Sequence, residues 1–182
     1  MPVHRPDAPR NLGLLLVSQG DVDEAIRQYE TVLAKRPRNT KALNNLGLAL
    51  MHKQEYGLAA RRFEEAIAAA PRYAKAHANL AMAHERLGQA AEAERRYRIA
   101  LAINPGDAIA WNNLGALLAR HNRLGEAIDC FVRALRIDPD YTDARRNLET
   151  GRSMLAPMPA SDAFSRATKT SPAAAASNPL RV

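Results

Sequence analysis

A single cysteine, Cys130, occurs in 182 residues, so no intramolecular disulfide can form and a cysteine-rich zinc site is excluded. Aromatic residues make up 5% of the chain, and no apolar run approaches the roughly 20 residues that a membrane-spanning helix needs. The strand-type alternation of β-branched and aromatic residues is scarce. Near the N-terminus the apolar stretch 12–17 is broken by Gly13 and followed by no small-residue cleavage site, so it does not read as a signal peptide. Together these features predict an all-α chain without a membrane span, in a reducing and cytoplasmic compartment.

Catalytic patterns are also wanting. No P-loop, nucleophile elbow or glycine-rich phosphate loop occurs. The acidic pairs Glu64/Glu65 and Asp21/Asp23 fall on faces or starts of predicted helices, where they suit solvent or the helix dipole, and no base accompanies them. Of five histidines, His77 and His84 occupy columns filled elsewhere by Leu43/Trp111 and Leu50/Leu118, which are core slots. His52 and His121 have no cysteine or carboxylate set at ligand spacing. The chain therefore reads as a non-enzyme with no metal and no cofactor. Cys130 shares a column with Gln28, Arg62 and Arg96, which predicts an outward-facing thiol without a catalytic role.

The net charge is +7. Residues 151–182 contribute four cations against Asp162, leaving +4 for residues 1–150. Nucleic-acid binders cluster Lys and Arg beside stacking aromatics, whereas the longest basic cluster here, Lys35, Arg36 and Arg38, surrounds a turn proline. That pattern reads as solvated surface rather than a nucleic-acid site.

What is present in abundance is a period. Pro37, Pro71, Pro105 and Pro139 are spaced 34 residues apart, and other columns keep step. Leu12-Gly13, Leu46-Gly47, Leu80-Ala81 and Leu114-Gly115 form one; Ala25, Ala59, Ala93 and Ala127 a second; Tyr29, Phe63, Tyr97 and Phe131 a third. Within one period, Leu43, Leu46 and Leu50 make one apolar stripe and Ala59, Phe63, Ala66 and Ile67 another, which predicts two antiparallel helices per unit. Small residues at 47 and 59 allow close approach, and the aromatic ring fills the space beside them. Gly20, Gln54, Gly88 and Asn122 mark the turn inside each unit, while each proline blocks continuation of the second helix.

No unit can bury both stripes alone, so neighbours must stack in a line. The expected organisation is an N-terminal extension at 1–5, then units 6–39, 40–73, 74–107 and 108–141, and a capping helix 142–152 with Arg145, Arg146 and Glu149 on its polar face. Pro9 stands where later units carry Leu43, His77 and Trp111, so the first unit is the weakest. Residues 153–182, rich in Pro, Ala, Ser and Thr, are predicted to be disordered. Helices are expected near 41–53, 57–69, 75–87, 91–103, 109–121 and 125–137.

Trp111, Leu114, Gly115, Ala127, Phe131, Ala134 and Pro139 in the fourth unit, and their counterparts over about residues 6–150, resemble the tetratricopeptide repeat family. The resemblance implies a right-handed superhelical solenoid whose first helices line a groove for a protein or extended peptide. On those helices Asn11, Asn45, Asn79, Asn113 and Asn147 recur every 34 residues, and asparagine is a poorer helix former than alanine. Repeat duplication could have copied them without use, and two functional readings stand beside that. Each carboxamide can pair with the C=O and N–H of an extended peptide, or it can bond between neighbouring helices. Leu14, Leu48, Met82 and Ala116 lie three residues further on, where they could take apolar ligand side chains, and Lys41 and Arg120 add positive charge.

The asparagine row is similar to that of the repeat domains of O-linked N-acetylglucosamine transferases and related bacterial proteins. Co-chaperone repeats that clamp a terminal carboxylate instead use a second asparagine where Leu14 and Leu48 stand here, although Arg10, Lys41 and Lys75 are basic. The leading functional expectation is a peptide- or protein-binding adaptor. The alternatives are the recognition part of a glycosyltransferase-type system lacking its catalytic domain, and a structural assembly subunit that self-associates.

Overall fold

The computed structural model describes residues 21–155, and among them every regular element is a helix. In chain order these are α1 (Val22–Lys35), α2 (Thr40–His52), α3 (Tyr56–Ala69), α4 (Ala74–Arg86), α5 (Ala90–Ile103), α6 (Ala108–Arg120), α7 (Leu124–Ile137) and α8 (Thr142–Leu155). Each packs on the next, and α2 also touches α4 as α6 touches α8, so the first helices of successive units form one layer. This is the all-α solenoid of helix pairs that the 34-residue period predicts. The expected N-terminal extension and first helix of the first unit lie outside the described residues. Helix α8 continues through Ser153 to Leu155, three residues past the predicted cap, and the remainder of the tail lies outside the description.

Two turns alternate along the chain. Inside each unit, Gln54, Gly88 and Asn122 have φ of 62°, 74° and 60°, the left-handed conformation that ends a helix. The residue after each then bonds back to the first helix: Glu55 N–H to Leu50 O at 2.9 Å, Gln89 to His84 at 2.8 Å, and Arg123 to Leu118 at 3.0 Å. Between units the proline is the second residue of a tight turn, closed by Asn39 N–H on Arg36 O at 3.0 Å and by Tyr73 N–H on Ala70 O at 3.0 Å. Three first-helix side chains reach back to those prolines. Trp111 Nε1–H donates to Pro105 O at 2.9 Å, His77 Nε2 lies 3.0 Å from Pro71 O, and an Arg145 guanidinium N–H donates to Pro139 O at 2.6 Å.

The core runs along the layer between first and second helices. Tyr29, Phe63, Tyr97 and Phe131 are buried, as are Ala25, Ala59, Ala93 and Ala127. The glycines of the Leu-Gly column have a steric reason. A Cβ on Gly47 would stand 2.4 Å from Phe63 Cε1, so the ring occupies the room the missing side chain leaves.

One expectation is overturned in this layer. Cys130 is 6% exposed and belongs to the core cluster around Phe131, Leu114 and Leu118, not to the surface. Its column is only half-buried at Gln28, Arg62 and Arg96, whose long side chains carry their polar ends outward while their stems cover the core. A short thiol has no such reach, so it stays among the apolar atoms, and burial pushes its pKa up to about 11. His77 does occupy a core slot, at 4% exposure, and His84 is half-buried with Nδ1 2.6 Å from Gln89 Oε1.

Candidate groove on the first-helix layer

The first helices are amphipathic in a way that sets the site. Leu43, Leu46 and Leu50 of α2 point into the core, and the helix turn that buries them leaves Lys41 exposed and Asn45 and Leu48 half-buried, Leu48 at the edge of the core. The same arrangement recurs on α4 and α6. The result is a concavity of about 530 Å³ that gathers Lys41, Asn45 and Leu48 from α2, Asn79 and Met82 from α4, and Asn113 from α6. Lys75 lines it too, as do Tyr73 and Ile109, which the sequence did not single out. Ile109 is 61% exposed, a large apolar side chain standing open in the groove.

A second concavity of about 370 Å³ continues from Met82 and Asn113 toward Glu85, Tyr97, Ala116 and Arg120. Here Tyr97 is buried, and its hydroxyl donates to Glu85 Oε1 at 2.6 Å. Burial, with the Glu85 carboxylate beside it, drives the Tyr97 pKa upward. Arg120 closes the set through an ion pair with Glu85. Arg120 therefore lines the groove as a neutralised cation, not as a free one.

The asparagine column divides into two roles. Asn79 Nδ2 donates to Asn44 Oδ1 at 2.8 Å, and Asn147 Nδ2 to Asn112 Oδ1 at 2.9 Å. Both acceptors are buried, at 3% and 6% exposure, so these bonds tie α2 to α4 and α6 to α8. Asn113 would need its partner at position 78, which is alanine and offers no carboxamide. Asn45 Oδ1 accepts from Asn44 Nδ2 at 3.4 Å. Asn147 lines neither concavity, while Asn11 and Leu14 lie outside the described residues.

Sequence reasoning missed Asn44 and Asn112. The signal was there as two Asn-Asn doublets separated by two periods, but only a neighbouring helix makes the first member of each an acceptor. Among the described residues no group of three or more His, Cys, Asp or Glu could hold a metal ion, and no helix is long and apolar enough to cross a membrane.

The tetratricopeptide repeat family model matches residues 10–74, 53–94 and 79–142. Among solved structures, MamA is 23% identical with a TM-score of 0.69, covering 86% of this chain and 88% of its own, a likeness that shows the fold alone. The first TPR of Spaghetti (RPAP3), bound to the HSP90 peptide SRMEEVD, is 25% identical with a TM-score of 0.63, covering 65% of this chain and 94% of its own. YrrB, a TPR protein with an unusual peptide-binding site, is 25% identical with a TM-score of 0.62, covering 79% and 74%. No curated protein matches the sequence.

Proposed function

This chain belongs to the tetratricopeptide repeat family, and we propose that it is a non-enzymatic scaffold that holds an extended peptide or protein segment in the groove of its first helices. The observation that carries the proposal is the joint lining of one concavity by Asn45, Asn79 and Asn113 with Leu48 and Met82. Carboxamides beside apolar side chains match what an extended peptide presents, which is a polar backbone with side chains alternating to either side. The Asn79 NH2 is committed to Asn44, which leaves its oxygen to accept from a ligand N–H. Peptide binding by Spaghetti (RPAP3) and YrrB on a related frame adds support.

The experiment is a pull-down with the intact chain followed by calorimetric titration of the captured segment against Asn45→Ala and Leu48→Asp. Each net hydrogen bond is worth about 0.5–1.5 kcal/mol, so Asn45→Ala should weaken binding by roughly 2- to 10-fold. Leu48→Asp should abolish it, since an aspartate there must be desolvated by the ligand. Unchanged affinity in both variants moves the binding face elsewhere.

A further inference from the structure

We infer that the segment this groove takes is acidic, an extended peptide whose internal carboxylate side chains run along Arg38, Lys41, Arg72 and Lys75 while its apolar side chains rest on Leu48, Met82 and Ile109. The inference rests on the groove reading above and adds the chemistry of the ligand. A shallow concavity at the inter-unit turns is lined by Arg38, Lys41, Arg72 and Tyr73, and it shares Lys41 and Tyr73 with the main groove, so the two form one continuous path. All four cations are exposed, and among the described residues none of them has an ion-pair or side-chain hydrogen-bond partner.

Several arginines elsewhere on the molecule are instead held by carboxylates. On the second helices Arg95 and Arg96 hold Glu92, and Arg98 and Arg123 share Glu94 and Glu126. At the far end of the groove Arg120 holds Glu85. The one carboxylate at the near end, Asp107, has an oxygen committed to capping α6 through Ala110 N–H at 3.0 Å. Ligand carboxylates therefore meet cations that give up no existing partner, and like-charged ligands are repelled.

A protein segment fits this surface better than a nucleic acid. Single-stranded nucleic acids are held by successive stacked aromatics along a basic track, and here Tyr73 is the one aromatic at the rim, while the adjoining groove is apolar and carboxamide-lined. Internal carboxylates fit better than a chain terminus. The cations are dealt out over two inter-unit turns and the starts of two helices, Arg38 and Lys41 at one unit boundary and Arg72 and Lys75 at the next, and are not gathered in one turn.

The probes are two short fluorescein-labelled peptides alternating Leu with Glu, or Leu with Gln, both acetylated and amidated, together with the Glu peptide bearing a free C-terminus and a labelled oligothymidylate. At low salt the Glu peptide should bind the intact chain about tenfold or more tighter than the Gln peptide, and the gap should close as added salt shortens the screening length toward roughly 3 Å. Lys41→Gln with Lys75→Gln should remove the gap and leave the melting temperature unchanged, because neither lysine has a side-chain partner among the described residues. Equal binding of the two peptides, still weakened by Asn45→Ala, overturns the acidic preference and keeps the groove. Binding that needs the free C-terminus, or an oligothymidylate that outcompetes the Glu peptide, overturns it as well. Binding of no probe overturns the acidic segment, while the groove proposal stands or falls with its own pull-down.

Discussion

A Cβ built on Gly115 would stand 2.6 Å from Cε1 of Phe131, so the ring of one helix rests directly on the backbone of its partner. The Gly47–Phe63 pair repeats this contact one interval of two units earlier, whereas the third unit carries Ala81 beside Tyr97. Adding a methyl group at Gly115 gains about 1 kcal/mol of helix propensity but forces the ring or the helix to move. Overpacking of this kind costs typically 1–3 kcal/mol. Gly115→Ala should therefore leave the fold no more stable and destabilise it by up to about 2 kcal/mol, read as a lower urea midpoint. Phe131→Ala, which empties a buried site, should cost about 3–5 kcal/mol.

Asn79 offers a double-mutant cycle. Replacing it by alanine leaves the Asn44 oxygen, in a residue 3% exposed, without its donor, which should cost about 1–3 kcal/mol. On an exposed helix face the same change would be neutral or slightly favourable. Adding Asn44→Ala to Asn79→Ala should recover part of the loss, and thermal melts of the four proteins measure the coupling. Additive losses would mean that the bond contributes nothing.

Cys130 should be inert in the folded protein. With its pKa pushed up to about 11 and its sulfur packed among core side chains, it holds few thiolates at pH 8 and little access for a reagent. Iodoacetamide labelling, followed by mass spectrometry, should be slower than for a free cysteine by about a hundredfold or more, and should accelerate when the chain is unfolded in urea.

Acid should loosen the second-helix layer. The Arg95 guanidinium, and Arg96 beside it, hold the Glu92 carboxyl down to about 2, and Arg123 with Arg98 lowers that of Glu94. Because the folded-state values lie below the ordinary carboxylate range, this stabilisation is present above about pH 4.5 and is lost as pH falls toward 2. Urea midpoints should drop between pH 6 and pH 3, and Glu92→Gln should flatten that dependence.

Much of this molecule was legible in its columns. The period placed six helices to within a residue of where they lie, because helix stripes, the left-handed turn at Gln54, Gly88 and Asn122, and the proline that closes each unit are all encoded over a few neighbouring residues. The aromatic column was readable for the same reason, since four-residue spacing alone puts Phe63 and Phe131 on the buried face. What tertiary structure decided was the partner of each polar side chain. Asn79 and Asn113 are equivalent by spacing, yet the first bonds Asn44 across the stack and the second meets Ala78 in that place, which has no carboxamide to offer. Arg120 found Glu85, and Cys130 fell inward where longer side chains reach out. Those outcomes depend on what the next helix presents within about 3 Å, a distance that links residues some 35 positions apart and that no single stretch of sequence contains.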